Sequence, residues 1–159
     1  MRITDLLSEP GINLNASPHS KADAIDELVE LMDATGKLKN KAKYKKCVLK
    51  REKEGTTGIG EGVAIPHAKT KVVTNAGLSA MVAKEGVEYE SLDGSPAKLL
   101  FMIAAPDTSE NIHLDVLARL SVLLMDDDFR RNLIEAKSKS EFLSLIDKAE
   151  TARFGEEQI

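Results

Sequence analysis

The stretch Leu99–Ala105, LLFMIAA, constrains this chain more than any other. It has strand length and no polar face, so it needs cover on both sides, which places it centrally in a sheet with helices above and below. Leu78–Ala83 is a second apolar run of strand length, and Val87 with Tyr89 suggests a short strand between the two. Helical spacing surrounds these runs. Ile25, Leu28, Val29 and Met32 form a stripe within Ser20–Ala34, opened by Ser20 with Asp23 and closed by Gly36. A second helix starts near Asn40, and its stripe of Tyr44, Cys47 and Val48 continues at the same spacing to Arg51. Leu114, Leu117, Ala118 and Ser121 mark one line of a third helix from about Glu110 to Met125, with Leu120, Leu123 and Leu124 widening the apolar face. Asp126–Ala136 reads as a short helical piece. Ser138 with Glu141 then opens a last helix bearing Phe142, Leu145, Ile146 and Ala149. Helices interleaved with four or five short strands predict an α/β sandwich.

At 159 residues and 42% hydrophobic content, one sizeable core can close, giving a single domain over residues 1–150. The apolar pattern ends at Glu150, so residues 151–159, TARFGEEQI, read as a linker or tail. A net charge of −4 argues against a nucleic-acid binder and against a polybasic membrane patch. No apolar stretch approaches the roughly 20 residues that span a bilayer, and the opening MRITDLLSEPG lacks the order of a secretory signal. The lone Cys47 cannot form an internal disulfide. These features together predict a cytoplasmic protein.

The chemistry is concentrated in Arg51–Lys69, REKEGTTGIGEGVAIPHAK. Four glycines lie between Gly55 and Gly62, Val63–Ile65 reads as a short strand stopped by Pro66, and His67 hangs at the end of that strand. A neutral imidazole is a competent nucleophile near pH 7, and a phosphorylated one carries about two negative charges that call for cations and amide donors. The glycines do not match GxxxxGK[ST], which disfavours a nucleotide and makes another protein the expected phosphoryl donor. His113, in a first helical turn, and Arg51, at the end of an inward stripe, are candidate supports for a charged His67. The plainer alternatives are a surface or core His113 and an Arg51 that caps its own helix. A metal site built from His67, His113 and Glu61 competes as a second reading, although no HExxH is present. Glu61 is either a solvated loop charge or an acceptor for the second N–H of an imidazole. His19 reads as an exposed turn residue and Asp126–Asp128 as a solvated helix start. No cofactor is expected.

These residues resemble a known family, enzyme IIA of the mannitol/fructose class of the phosphoenolpyruvate-dependent sugar phosphotransferase system. The resemblance covers Met1 to about Glu150 and rests on TGIGEGVAIPHAK around His67, LLFMIAAP, and NIHLDVLARLS around His113, with MRITDLL, VEYESLDG and LLMDDDFR closest to the fructose branch. It implies a mixed sheet of about five strands flanked by helices on both faces. It also implies a relay in which a histidine phosphocarrier protein phosphorylates His67 and His67 passes the group to a cysteine of enzyme IIB, with the membrane component IIC acting downstream. Arg51, Glu61 and His113 match family positions lining the active site. The alternative within the family is the nitrogen-related regulatory enzyme IIA, a signalling module. The sugar, fructose by resemblance, is not fixed by the sequence.

Overall fold

In a computed structural model, which describes residues 2–108, 111–157 and 159, the chain forms one α/β domain. The elements are α1 (Ile3–Leu6), β1 (Leu7–Asn13), α2 (Lys21–Ala34), α3 (Lys41–Glu54), β2 (Gly58–Gly60), β3 (Val63–Ala64), β4 (His67–Lys69), β5 (Gly77–Val87), β6 (Ala97–Ala105), α4 (Ile112–Leu123), α5 (Asp127–Glu135) and α6 (Lys139–Phe154).

The sheet has six strands in the order β1-β5-β6-β3-β2, with β4 also paired to β6. It is mixed: β1 runs parallel to β5, β5 antiparallel to β6, and β3 and β4 parallel to β6. As its uninterrupted apolar run requires, β6 is central and buried on both faces. Leu99, Phe101 and Ile103 face α1, α4, α5 and α6, whereas Leu100, Met102 and Ala104 face α2 and α3. Phe101 stacks on Phe142 of α6, with ring centroids 6.0 Å apart.

The four helix starts read from sequence are capped by side chains. Ser20 accepts from Asp23 N–H, Asn40 from Lys43 N–H, Asp126 from Phe129 N–H, and Ser138 from Glu141 N–H. The third helix was expected from about Glu110, which lies outside the described residues. Its buried side is Val116, Arg119, Leu120 and Leu123, and the expected line through Leu114 and Ala118 is exposed instead. The short strand expected at Val87 and Tyr89 is not separate: Val87 ends β5 beyond a break in register, and Tyr89 lies past it. The glycine loop contains a strand. Gly58–Gly60 pairs antiparallel with β3, and a Cβ on Gly58 would stand 2.9 Å from Ser91 Cα, so only glycine lets the two chains pass. α6 continues beyond Glu150 to Phe154.

Candidate functional site

His67 opens its own strand instead of closing the one before it. Ile103 N–H donates to Pro66 O (3.0 Å), and β4 then pairs His67 with Ile103 and Lys69 with Ala105. Because strand side chains alternate, Ala68 turns into the α2/α3 core while His67 and Lys69 share the opposite side, where α4 begins. The His67 ring is oriented by its own backbone. Its Nδ1 lies 2.9 Å from Ile65 O, and a carbonyl can only accept, so Nδ1 carries the proton in the neutral ring and Nε2 holds the free lone pair.

Helix α3 is seated on the same strand pair. The buried Tyr44 hydroxyl donates to Ile103 O (2.9 Å), the carbonyl of the residue paired with His67. Two turns on, Arg51 therefore reaches the cleft, while its Nη1 also donates to Gly55 O (2.9 Å) and caps its own helix. One side chain thus caps its helix and lines the cleft. The end of α3 is further tied down by Glu52, which takes bonds from Tyr89 OH (3.1 Å) and the Thr57 hydroxyl and pairs with Lys21 (2.9 Å). Burial, with the Glu52 charge beside it, pushes the Tyr89 phenol pKa far up, so it stays a donor.

On the far wall His113 is the second residue of α4, where backbone amides are unpaired. Its ring centroid is 6.4 Å from that of His67, at an interplanar angle of 37°. Its Nδ1 is buried with no hydrogen-bond partner among the described residues. Burial, with the charges of Lys69 and His67 adding to it, lowers its pKa from the ordinary value of 6.5. The cleft encloses about 550 Å³ and is lined by Cys47, Lys50, Arg51, Glu54, His67, Ala68, Lys69 and His113, with Leu114 and Leu117 at its α4 rim.

Glu61 is not among the residues lining this cleft. It lies in a neighbouring hollow with Ile59 and Met125, its carboxylate 3.6 Å from Arg130, and its backbone has φ +56°. Its amide donates to Asp93 (2.9 Å), whose carboxylate also accepts from the Ser95 hydroxyl (2.7 Å); these bonds hold the Asp93 pKa down to about 2. Among the described residues no three His, Cys, Asp or Glu side chains group so as to hold a metal ion. Lys50 and Lys69 are cleft residues that the sequence reading passed over. Lys69 shares the side of His67 only through β4, which no local pattern announces. Outside the cleft, His19 sits before α2 with its amide bonded to Asp23.

Fold and cleft define a single α/β domain that presents His67 between two helices, in a cleft lined by three cations, one carboxylate and a second histidine. The chain belongs to the family described as phosphoenolpyruvate-dependent sugar phosphotransferase system, EIIA 2, which matches residues 5–149, and its sequence falls in the fructose-like branch. It is 47% identical over 148 residues to the fructose-specific EIIABC component of Bacillus subtilis, covering 93% of this chain and 23% of that protein. It is 40% identical to the fructose-specific EIIA component of Haloferax volcanii, over 80% of this chain and 83% of that one. It is also 36% identical to the nitrogen regulatory protein of Bradyrhizobium diazoefficiens, over 92% and 95%. Among solved structures, the nitrogen regulatory protein IIA-Ntr of Neisseria meningitidis superposes with a TM-score of 0.84 at 30% identity, covering 91% of this chain and 98% of that one. Enzyme IIA of the Escherichia coli mannitol system, solved in complex with phosphorylated enzyme IIB, superposes at 0.78 with 26% identity, covering 90% and 99%. The chain is thus a phosphotransferase-system component. No helix among the described residues is long and apolar enough to cross a membrane.

Proposed function

We propose that His67 is the phosphoryl carrier of this domain, taking the group from a histidine phosphocarrier protein and passing it to a cysteine of enzyme IIB in the cytoplasm, in the service of a sugar permease. The observation that carries this reading is the Nδ1 bond to Ile65 O, which leaves Nε2 as the nucleophile facing a cleft lined by Lys50, Arg51 and Lys69. In uptake the Nε2 lone pair forms a bond to phosphorus as the donor's N–P bond breaks and its electron pair returns to the donor nitrogen. Ile65 O retains the Nδ1 proton, so the phosphorylated ring is cationic and its charge offsets part of the phosphoryl dianion. In discharge a thiolate forms the S–P bond and the pair returns to Nε2. Arg51 and the amide end of α4 with His113 supply the donors around the developing charge. Glu61, bonded through its amide to Asp93, acts on the glycine loop rather than on the imidazole.

The identity to fructose-specific relatives supports fructose as the sugar. The likeness to nitrogen regulatory proteins favours one second reading, a module whose phosphorylation state governs binding to a regulatory partner. Incubation with the phosphorylated phosphocarrier, followed by intact mass and acid lability, tests the carrier role: wild type should gain one acid-labile phosphoryl group and His67→Gln none. Discharge to a fructose IIB domain separates transport from regulation, since a purely regulatory module would keep its group.

A further inference from the structure

The His67 tautomer depends on one carbonyl, and a chain of hydrogen bonds fixes where that carbonyl stands. Ile65 is buried; its oxygen lies 2.9 Å from His67 Nδ1, and its own N–H donates to Thr57 O (3.0 Å). Thr57 sits in the glycine loop, yet it is buried and held twice by one side chain. Its N–H (3.2 Å) and its hydroxyl both donate to the Glu52 carboxylate. Tyr89 OH donates to the same carboxylate (3.1 Å), and Lys21 Nζ pairs with it (2.9 Å), which offsets its charge from outside the cleft. Adjacent residues of α3 therefore grip one loop at two points, Arg51 at Gly55 O (2.9 Å) and Glu52 at Thr57. The end of α3 is closed without the Glu52 side chain, by Gly55 N–H on Glu52 O (3.2 Å) and by Arg51. That side chain is only 6% exposed and is not among those lining the cleft, so it acts on the site through other residues.

We propose that Glu52 is a positioning residue for phosphoryl transfer, setting through Thr57 and Ile65 the carbonyl that orients the His67 ring; the inference rests on the carrier reading above. A hydrogen bond weakens steeply when its acceptor swings aside. A ring without that acceptor divides between its two tautomers, and the form protonated at Nε2 has no lone pair where the phosphorus must arrive. The same carbonyl holds the Nδ1 proton of the cationic phosphorylated ring, so its placement matters for discharge as well as uptake. Pro66 O is fixed independently by Ile103 N–H (3.0 Å), so Glu52 acts on the Ile65 side of the segment.

The test reads the ring directly. Long-range proton–nitrogen correlation spectra of the His67 ring give its tautomer, and rapid quench with the phosphorylated histidine phosphocarrier protein gives the uptake rate. In wild type Nδ1 should carry the proton of the neutral ring. Glu52→Met removes the acceptor of Thr57 but leaves Lys21 its second partner, Glu90 (3.4 Å). It should populate the Nε2–H form and lower kcat about three- to tenfold, the effect of one hydrogen bond, with KM for the donor unchanged. Glu52→Gln keeps an oxygen for Thr57 N–H and should restore most of both readouts. Leu133→Ala opens a cavity in the core on α5, away from this chain of bonds, and should lower stability while leaving tautomer and rate as in wild type. Where Glu52→Met fails to fold, Thr57→Val, which removes the hydroxyl alone, should shift the tautomer in the same direction by less. A wild-type tautomer in the folded variant, a shifted tautomer with an unchanged rate, or an equal shift in Leu133→Ala overturns the positioning role and leaves the carrier reading standing. Wild type that takes up no phosphoryl group ends the carrier reading, and this inference with it.

Discussion

His113 faces His67 across 6.4 Å, ring centroid to ring centroid, with its own Nδ1 buried and unpartnered among the described residues. Two cationic imidazoles that close repel, and burial already disfavours charge on His113, so the unphosphorylated site favours a neutral ring there. Phosphorylating His67 reverses the neighbouring charge from neutral or positive to net negative. The His113 pKa should therefore rise on phosphorylation, read as the pH at which its ring carbon signals titrate in NMR spectra of the two states. An equal or lower value in the phosphorylated protein removes His113 from the charge balance of the site.

The same group gives a pH dependence of stability. Its folded pKa lies below its unfolded value of about 6.5, so between the two the unfolded chain binds more protons. Stability should then rise with pH through that window and be complete above about 6.5. His113→Ala should abolish this component of the slope in thermal melts from pH 5 to 8, whatever it does to transfer. A slope that survives the substitution must come from another group.

Arg51 combines a cap with a cleft position, so its substitution should separate two effects. Arg51→Lys keeps the charge and most of the stem but loses the planar fork that can hold Gly55 O and a phosphoryl oxygen together. Charge-assisted hydrogen bonds contribute about 1.5–3 kcal/mol, so phosphoryl uptake should slow on the order of ten- to a hundredfold. Unfolding should change much less. A wild-type transfer rate in Arg51→Lys would leave the residue as a helix cap only.

Glu61 provides the contrasting case. Its carboxylate is exposed and pairs with Arg130 outside the cleft, and exposed pairs contribute at most about 1 kcal/mol. Glu61→Gln should change uptake by no more than about fivefold. Removing the carboxylate that holds its amide, in Asp93→Asn, should loosen the turn and raise amide exchange at residues 60–62. A large loss in Glu61→Gln with an undisturbed loop would return Glu61 to the chemistry.

What was legible in the sequence follows from where the determining interactions lie. The central strand, the Ser20 and Ser138 caps and the helix starts at Asn40 and Asp126 are local signals, and the structure reproduces them. β1 was missed because Pro10 and Gly11 interrupt LSEPGIN; both sit in a register break of an edge strand, where pairing with β5 tolerates them. β4 is three residues long and exists because β6 offers it a partner, so no local pattern announces it. The meeting of His67, His113 and Arg51 was readable only as a possibility, since the Tyr44 bond to Ile103 that seats α3 is a contact between distant segments. The inward face of the third helix was read correctly at Leu120, Leu123 and Leu124 but misplaced at Leu114 and Ala118, for a related reason. Arg119 is buried, and a buried arginine becomes intelligible only once its partner is known.

That partner is Glu150, the point at which the apolar pattern of the last helix stops. Its fully buried carboxylate accepts from Arg119 Nη1 (2.8 Å) and from Ile3 N–H (2.9 Å), with Arg2 Nε 3.5 Å away. Arg119 also donates to Glu157 O (2.9 Å), and its guanidinium lies 4.4 Å from the Phe154 ring centre. The pair thus joins α4, the helix that carries His113, to both ends of the described chain. Removing one partner strands the other charge, at a cost of about 3–5 kcal/mol, so Glu150→Gln and Arg119→Met should each lower the Tm steeply. The double variant should recover part of the loss, because it leaves no unpaired charge. A chain ended at Glu150 keeps the carboxylate but loses the Phe154 face and the Glu157 carbonyl. It also loses the Arg2 bonds to Gly155 O (2.7 Å) and the Thr151 hydroxyl, so with a cation–π contact of about 0.5–2 kcal/mol and three hydrogen bonds of about 1 kcal/mol each its Tm should fall by an amount comparable to either single variant. Differential scanning calorimetry on the four proteins orders these effects. An unchanged Tm in the shortened chain would make residues 151–159 a linker in energetic terms. A fall as large as in Glu150→Gln would instead make them part of the domain.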